Sequence, residues 1–256
     1  MVDRAPPSRV TVERHDFVAL LTINRPERHN AVDLPILRAI REAQSDVLDK
    51  GGRAMVITGT PPAFCSGADL SGAHEEEFAS ALDEVVHGMT TMPIVTVACI
   101  NGPALGAGAQ IALSCDIRVA SADSVIGVPA AKLGLVVSHW TIERLVRELS
   151  WPVARAMLLT ARLYTGAELN QLGSVHRIGD VNDALLWAQE IAALAPYPLL
   201  VTNSLWRHRV LIHSSTILSL RHGNVPGGAM MRLKVAGRSW PSAHPISWGH
   251  DQSMKL

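Results

Sequence analysis

Apolar positions along the chain predict strands and helices that alternate over most of its length. Residues 10–23 hold two short runs of β-forming residues on either side of a polar turn, which predicts a hairpin. Helical spacing predicts helices over 33–50, 75–89, 139–149, 152–161 and 181–194, with Asp33 as the N-cap of the first. Strands are expected at 54–58, 94–100 and 117–121, with a short one near 175–178. The alternation predicts an α/β protein.

Composition and charge narrow the possible functions. The 256 residues suit one large domain, or one domain with an appendage. The 23 Lys and Arg balance the 23 Asp and Glu, so the chain has no general attraction for nucleic acid or anionic membranes. No apolar run reaches the length of a membrane span, and residues 1–10 lack an apolar signal core. The three cysteines lack metal-ligand spacing, so we expect reduced thiols in a cytoplasmic protein without a metal site.

Two glycine-containing turns follow predicted strands and are the first candidates for a functional site. PAFCSGADL (62–70) follows strand 54–58, and NGPALGAGAQ (101–110) follows strand 94–100. Such a turn at the start of a helix lets backbone N–H groups point at an anion or a carbonyl oxygen. Neither turn contains GxGxxG or the Lys–Ser/Thr pair of a P-loop, which excludes nucleotide binding through those motifs. The residues alone are equally consistent with two tight connections between a strand and a helix.

Five runs, in order, resemble the enoyl-CoA hydratase/isomerase, or crotonase, superfamily. They are NRPERHNAV (24–32), AFCSGADL (63–70), NGPALGAGAQIALSCDIRVAS (101–121), VPAAKLGL (128–135) and ARAMLLTARLYTGAELNQLGSVHRI (154–178). The resemblance covers about residues 9–196. It implies a spiral of repeated ββα units and assembly as a homotrimer or a dimer of trimers. It also implies binding of a fatty acyl-CoA thioester, with no cofactor besides the coenzyme A of the ligand itself.

The resemblance also implies which residues meet the ligand. Two backbone N–H groups that polarise the thioester carbonyl would be those of Ser66 and Ala107. Such donors stabilise the developing enolate oxygen, each worth about 10²–10³ in rate. The segment near the coenzyme A portion and the first loop would supply the other contacts: Arg25, Glu27, Arg28, Asn30, Ser66, Gly67, Ala68, Asp69 and Leu70.

The most informative departure from the family concerns its two catalytic glutamates. In hydratases these hold a water over the β-carbon and share its protons; here the matching positions are Gln110 and Ala130. Neither side chain exchanges protons at pH 7. The sequence therefore predicts an acyl-CoA binding protein with little or no hydratase activity.

The alternative is an active enzyme of fatty acid metabolism, either an enoyl-CoA hydratase, which is a lyase, or an isomerase, with a relocated acid/base group. His139 at the start of a predicted helix, and Glu75–Glu77 after the first loop, are its candidates. Each also fits a plain surface role, His139 as a solvated helix start and the glutamates as an acidic first turn. The remaining polar neighbours fit structural roles better: Glu143 as a partner of Arg147, Lys132 as a surface charge and Cys65 as a buried filler.

The composition changes at the boundary between an expected core, 1–197, and a divergent segment, 198–256. Asp251 is the one acidic residue among these 59 positions, which nevertheless hold five of the eleven His and three of the six Trp. The family resemblance stops at the same place, where the family has trimerisation helices. Two explanations are open. The tail is read in a shifted frame or has been replaced, or it is a genuinely divergent tail. Sequencing the gene tests the shifted-frame explanation. That explanation requires a single-base shift that restores an acidic, helical tail.

Overall fold

A computed structural model describes residues 8–69, 71 and 75–194 of the protein, with the backbone alone for Glu75. The expected boundary at 197/198 and the whole segment 198–256 lie outside the described residues. The predicted hairpin is present. Strand β1 (Val10–His15) pairs antiparallel with β2 (Val18–Ile23), in a register that sets Val10 against Ile23 and His15 against Val18.

Within the described part of the chain the central sheet has six strands, and their order explains the apolar runs of the sequence. After β2 come β3 (Ala54–Gly59), β4 (Val95–Ile100), β6 (Ile117–Ala120) and β9 (Arg177–Ile178), each parallel to its neighbour. Every residue of β3 and β4 is buried. Continuous apolar strands of this kind are typical of parallel sheets covered on both faces. The predicted α/β class is confirmed.

The described residues form seven α-helices. They are α1 (Leu34–Asp49), α2 (Glu75–Thr91), α3 (Ala107–Ser114), α4 (His139–Leu149), α5 (Trp151–Thr160), α6 (Gly166–Gln171) and α7 (Val181–Ala193). Alternate strand residues contribute to different cores: Val56 and Val97 pack with α7, whereas Met55 and Ile57 belong to the larger core with α1, α2 and α3. None of the described helices is both long and apolar enough to cross a membrane.

A second, smaller sheet positions the two glycine turns. It consists of β5 (Ala104–Leu105), β7 (Val125–Gly127) and β8 (Tyr164–Thr165), with β5 parallel and β8 antiparallel to β7. None of these strands was predicted, since two or three residues are too short to show an alternating pattern. Helix α6 was also missed, although its capping box of Thr165 and Glu168 is visible in the sequence as Thr-x-x-Glu.

A buried arginine joins β6 to its neighbours and sets the surroundings of one histidine. The Arg118 side chain is 3% exposed, and its guanidinium pairs with Glu148 at 2.6 Å. It also donates to the carbonyl oxygens of Ser174 and Cys115. The Arg118 backbone N–H donates to Nδ1 of His176 at 3.2 Å. This bond requires Nδ1 to be unprotonated, and burial together with the nearby Arg118 charge lowers the pKa of His176.

We therefore expect His176 to reduce stability in mild acid. The pKa of His176 is lower in the folded than in the unfolded protein. As the pH falls through the ordinary histidine range, the unfolded chain therefore binds more protons than the folded one, and the free energy of unfolding decreases. His176→Asn keeps an acceptor oxygen near the Nδ1 position without titrating. Urea denaturation between pH 8 and pH 5 should show a shallower loss of stability for this variant, with a modest difference because His176 is partly exposed. Identical pH dependence in the two proteins would contradict the assignment.

Candidate functional site

The two glycine turns lie side by side because the first loop, residues 62–69, runs along β5. The Cys65 N–H donates to the carbonyl oxygen of Pro103, and the Leu105 N–H donates to that of Cys65, at 3.0 and 2.9 Å. Cys65 and Ala104 form a parallel bridge. The start of α3, which follows directly after β5, is thereby held against the first loop.

Three glycines allow this close approach. Gly67 and Gly106 have φ values of +118° and +53°, in the region that side chains disfavour. A Cβ built on Gly106 would lie 3.9 Å from the Cα of Gly67, so the two turns meet at these residues. At Gly108, on the first turn of α3, a Cβ would overlap the Cys65 carbonyl oxygen and lie 2.8 Å from the Cys65 Cβ. The helix packs on the loop without room for a side chain at that point.

The Ser66 N–H, which the motif comparison assigned to the ligand, is already used within the protein. It donates to the carbonyl oxygen of His29 at 3.0 Å. The next peptides of the loop are fixed differently. Val32 N–H donates to the Gly67 carbonyl oxygen at 2.9 Å, and Asp69 N–H donates to the Val32 carbonyl oxygen at 2.8 Å.

The Ala68 N–H is an exposed donor of the loop that these bonds leave unused. In a trans peptide the C=O and the N–H point in opposite directions, so the bond from Val32 to the Gly67 carbonyl turns the Ala68 N–H away from Val32. No acceptor for this N–H occurs among residues 8–69, 71 and 75–194, and Ala68 is exposed. The geometry moves the expected loop donor from Ser66 to Ala68.

Ala107 supplies a second free N–H. It is the first residue of α3, and the first N–H groups of a helix have no acceptor within it. The described part of the chain offers this N–H no other acceptor. The positive φ falls on Gly106, the N-cap, so the Ala107 methyl group adds no backbone strain.

Gln110 lies one turn further along α3 and is tied to the start of α4. Its Oε1 accepts from the Thr141 hydroxyl at 2.9 Å, and Thr141 lies 3.0 Å from the Ser138 hydroxyl, the N-cap oxygen of α4. Side chains of a helix lean toward its N-terminus, which brings Gln110 toward the Ala107 end of α3. Ala130 opens a short 3-10 turn, Ala130–Leu133, and is half-buried. Neither residue carries a titratable group.

The residues predicted as relocated acids or bases lie at the surface. The His139 side chain is 86% exposed, and its Nε2 is 3.7 Å from the Glu143 carboxylate. Glu143 also approaches Arg147, as expected, at 3.9 Å. Glu77 pairs with Arg38 at 2.6 Å, Glu76 and Lys132 are exposed, and the side chain of Glu75 lies outside the described residues.

Cys65 carries the thiol of the first loop. Its thiol is buried, and burial raises its pKa to about 12. It therefore holds its proton at neutral pH, which fits a packing role and not nucleophilic catalysis.

The predicted coenzyme A contacts divide into structural and accessible residues. Asn30 is fully buried: its Nδ2 donates to the carbonyl oxygens of Thr60 and Ala63, and its Oδ1 accepts from the Arg25 N–H. Its side chain holds loops together and cannot reach a ligand, contrary to the expectation. Glu27 and Arg28 are exposed and remain accessible to a ligand, whereas Leu70 lies outside the described residues.

Comparison with known proteins identifies the family. The model of one protein family, described as enoyl-CoA hydratase/isomerase, matches residues 13–201. The chain belongs to the enoyl-CoA hydratase/isomerase family. A similar relative is the probable enoyl-CoA hydratase echA6 of Mycobacterium tuberculosis, 39% identical over 188 residues that cover 73% of this chain and 77% of the relative.

Similar solved structures confirm the fold. A probable enoyl-CoA hydratase/isomerase from Mycobacterium abscessus superposes with a TM-score of 0.73 at 30% identity, covering 84% of this chain and 88% of that one. DspI of Pseudomonas aeruginosa superposes with a TM-score of 0.76 at 27% identity, covering 86% and 95%. The crotonase-like α/β architecture expected from the sequence motifs is thus confirmed.

Proposed function

We propose that this family member binds fatty acyl-CoA and enoyl-CoA thioesters and holds the carbonyl oxygen between the N–H groups of Ala68 and Ala107. The observation that carries the proposal is the junction of the first loop with α3, where two backbone donors without described acceptors occur together. Fixed donors of this kind suit an oxygen that gains negative charge.

We further propose that hydration of the bound thioester is slow or absent. Adding water to an enoyl thioester requires one group to accept a proton and another to donate one, each contributing about 10²–10⁴ in rate. Gln110 can hydrogen-bond a water but cannot take its proton, and Ala130 offers a methyl group. A protein with this site polarises the thioester without completing the reaction.

The family's name favours a second candidate, an active hydratase or isomerase that uses His139 or Glu75–Glu77 instead. The exposure of His139, and the ion pair of Glu77 with Arg38, make this candidate the weaker one. A group surrounded by water has no fixed orientation toward a bound substrate.

Calorimetry with butyryl-CoA, beside a crotonyl-CoA hydration assay on the same protein, separates these proposals. We expect binding without turnover above the buffer rate. Turnover that disappears in His139→Ala would support the second candidate. Absence of binding to either thioester would contradict both.

The resemblance to the family also supports a cytoplasmic homotrimer or dimer of trimers. Analytical ultracentrifugation of the full chain, with and without butyryl-CoA, tests the oligomer directly. A protein that stays monomeric at high concentration would contradict the proposed assembly, and would leave the ligand-binding proposal to the calorimetry.

A further inference from the structure

Arg25 makes a concentrated set of contacts directly beside the first loop. Its Nη1 lies 2.8 Å from Asp69 Oδ2 and 3.3 Å from Asp33 Oδ2, and it donates to the carbonyl oxygen of Ala31 at 3.2 Å. The side chains of Arg25 and Asp69 are 11% and 12% exposed. We call Arg25, Asp33 and Asp69 the Arg25 cluster.

The Arg25 cluster is not arranged to receive an anionic ligand. Two carboxylates lie within 3.3 Å of Nη1, so a phosphate group of coenzyme A would meet a guanidinium that is already neutralised and largely buried. Hydrogen bonds from Ser71 and from Arg25 lower the pKa of Asp69 to about 2, so its carboxylate stays charged throughout the neutral range. The expectation that Arg25 contacts coenzyme A is therefore replaced by a role within the protein.

We propose that Arg25 is a positioning residue that keeps the Ala68 N–H directed at the thioester oxygen, an inference that rests on the proposed function. Asp69 follows Ala68 directly, and both parts of Asp69 are attached to the segment 25–33. Its side chain binds Arg25, and its backbone N–H donates to Val32. The peptides on either side of Ala68 are thus held to one segment.

Gly67 explains why this attachment is required. It precedes Ala68 with a φ of +118° and has no side chain to limit rotation of the peptide that carries the Ala68 N–H. The Val32 bond to the Gly67 carbonyl oxygen fixes that peptide only while Val32 and the loop stay in register. The Arg25–Asp69 pair maintains this register from the far side of Ala68.

The segment that holds the loop is itself fixed to the core. The Arg25 N–H donates to Oδ1 of the buried Asn30, whose Nδ2 donates to the carbonyl oxygens of Thr60 and Ala63 at the start of the loop. Asn30 therefore anchors the beginning of the loop and Arg25 its end. Removing Arg25 should release the Ala68 end and leave the other end in place.

The test compares two ligands that differ at the thioester oxygen: butyryl-CoA and the thioether S-butyl-CoA, which lacks the carbonyl. Both are titrated by calorimetry into the full-length wild type, Arg25→Lys and Asp69→Asn. Lys keeps the charge, but its shorter side chain ends before the position at which Nη1 of Arg25 meets all three partners. Arg9→Ala is the matched control, because Arg9 pairs with the same Asp33 at 2.6 Å but is 52% exposed and does not contact Asp69.

For the wild type we expect butyryl-CoA to bind roughly 5- to 100-fold more tightly than the thioether, as two ordinary hydrogen bonds would give. In Arg25→Lys and Asp69→Asn this preference should fall about 2- to 10-fold, because the Ala107 N–H still donates, while the affinity for S-butyl-CoA stays within about threefold of the wild type. Arg9→Ala should keep the full preference.

The outcomes distinguish the two proposals. An unchanged preference in the variants, or an equal loss of affinity for both ligands, would overturn the positioning role of Arg25. A wild type without any preference for the carbonyl would instead contradict the proposed function. Should Arg25→Lys fail to fold, the nearly isosteric Asp69→Asn decides, with thermal unfolding as the check on its structure.

Discussion

The double variant Gln110→Glu/Ala130→Glu should hydrate crotonyl-CoA at least about 10²-fold faster than the wild type, because it supplies both missing proton-transfer groups. Glu is close to Gln in shape, and the Thr141 hydroxyl that donates to Gln110 can donate equally to a carboxylate. The half-buried Ala130 stands in an irregular turn where a longer side chain has access to solvent. Steady-state hydration kinetics measure the gain.

Single variants and a distant control make this result interpretable. Each single glutamate should recover only part of the rate, since groups that act together are not additive. Gln171→Glu, at the exposed end of α6, makes the same chemical change away from the site and should leave the rate at the wild-type level. A double variant that folds and binds butyryl-CoA but remains inactive would show that Gln110 and Ala130 do not account for the missing activity.

Of all single methyl groups that could be added at the site, the one in Gly108→Ala should be the most damaging. The added Cβ overlaps the Cys65 carbonyl oxygen, so α3 must move away from the first loop and carry the Ala107 N–H away from that of Ala68. Overpacking of this kind costs about 1–3 kcal/mol of stability. We also expect the preference for butyryl-CoA over its thioether to fall at least about fivefold, as for a lost hydrogen bond.

Gly173→Ala is the matched control for this substitution. Gly173 has a φ of +79° and no neighbour within 4 Å of an added Cβ, so the variant is strained without a steric clash. It should lose roughly 1–2 kcal/mol of stability and keep the carbonyl preference unchanged. Urea denaturation and calorimetry on both variants separate a general loss of stability from a change in the site. Equal ligand preferences in the two variants would contradict the account of the α3 contact.

The predictable part of the fold consists of elements whose pattern is local. Helix α1 has a continuous apolar stripe, and the Asp33 side chain accepts from the Ile36 N–H as its N-cap role requires. The buried strands β3 and β4 are continuous apolar runs. By contrast β5, β7 and β8 exist only because distant segments meet, and their two or three residues carry no pattern of their own.

The same distinction applies to the candidate site. The replacement of two glutamates by Gln110 and Ala130 is visible in the sequence, because it needs only the identity of the residues. Which loop amide is free depends on pairing with His29 and Val32, and this tertiary arrangement moves the expected donor from Ser66 to Ala68. The family resemblance implies that Arg25 and Asn30 contact the ligand, but both side chains bind residues across the fold. Composition and motif spacing contain no information about these pairings.

The central claim is that the protein hydrogen-bonds the thioester carbonyl oxygen without hydrating the ligand. Its most direct test is ¹³C NMR of crotonyl-CoA labelled at C1 and C3, bound to an excess of the wild-type protein. Hydrogen bonds to the carbonyl oxygen should move the C1 resonance downfield from its position in free crotonyl-CoA. The C3 resonance should remain in the olefinic region for as long as it does in buffer. An unshifted C1 resonance of the bound ligand, or rapid conversion of C3 to a carbon bearing a hydroxyl group, would contradict the account.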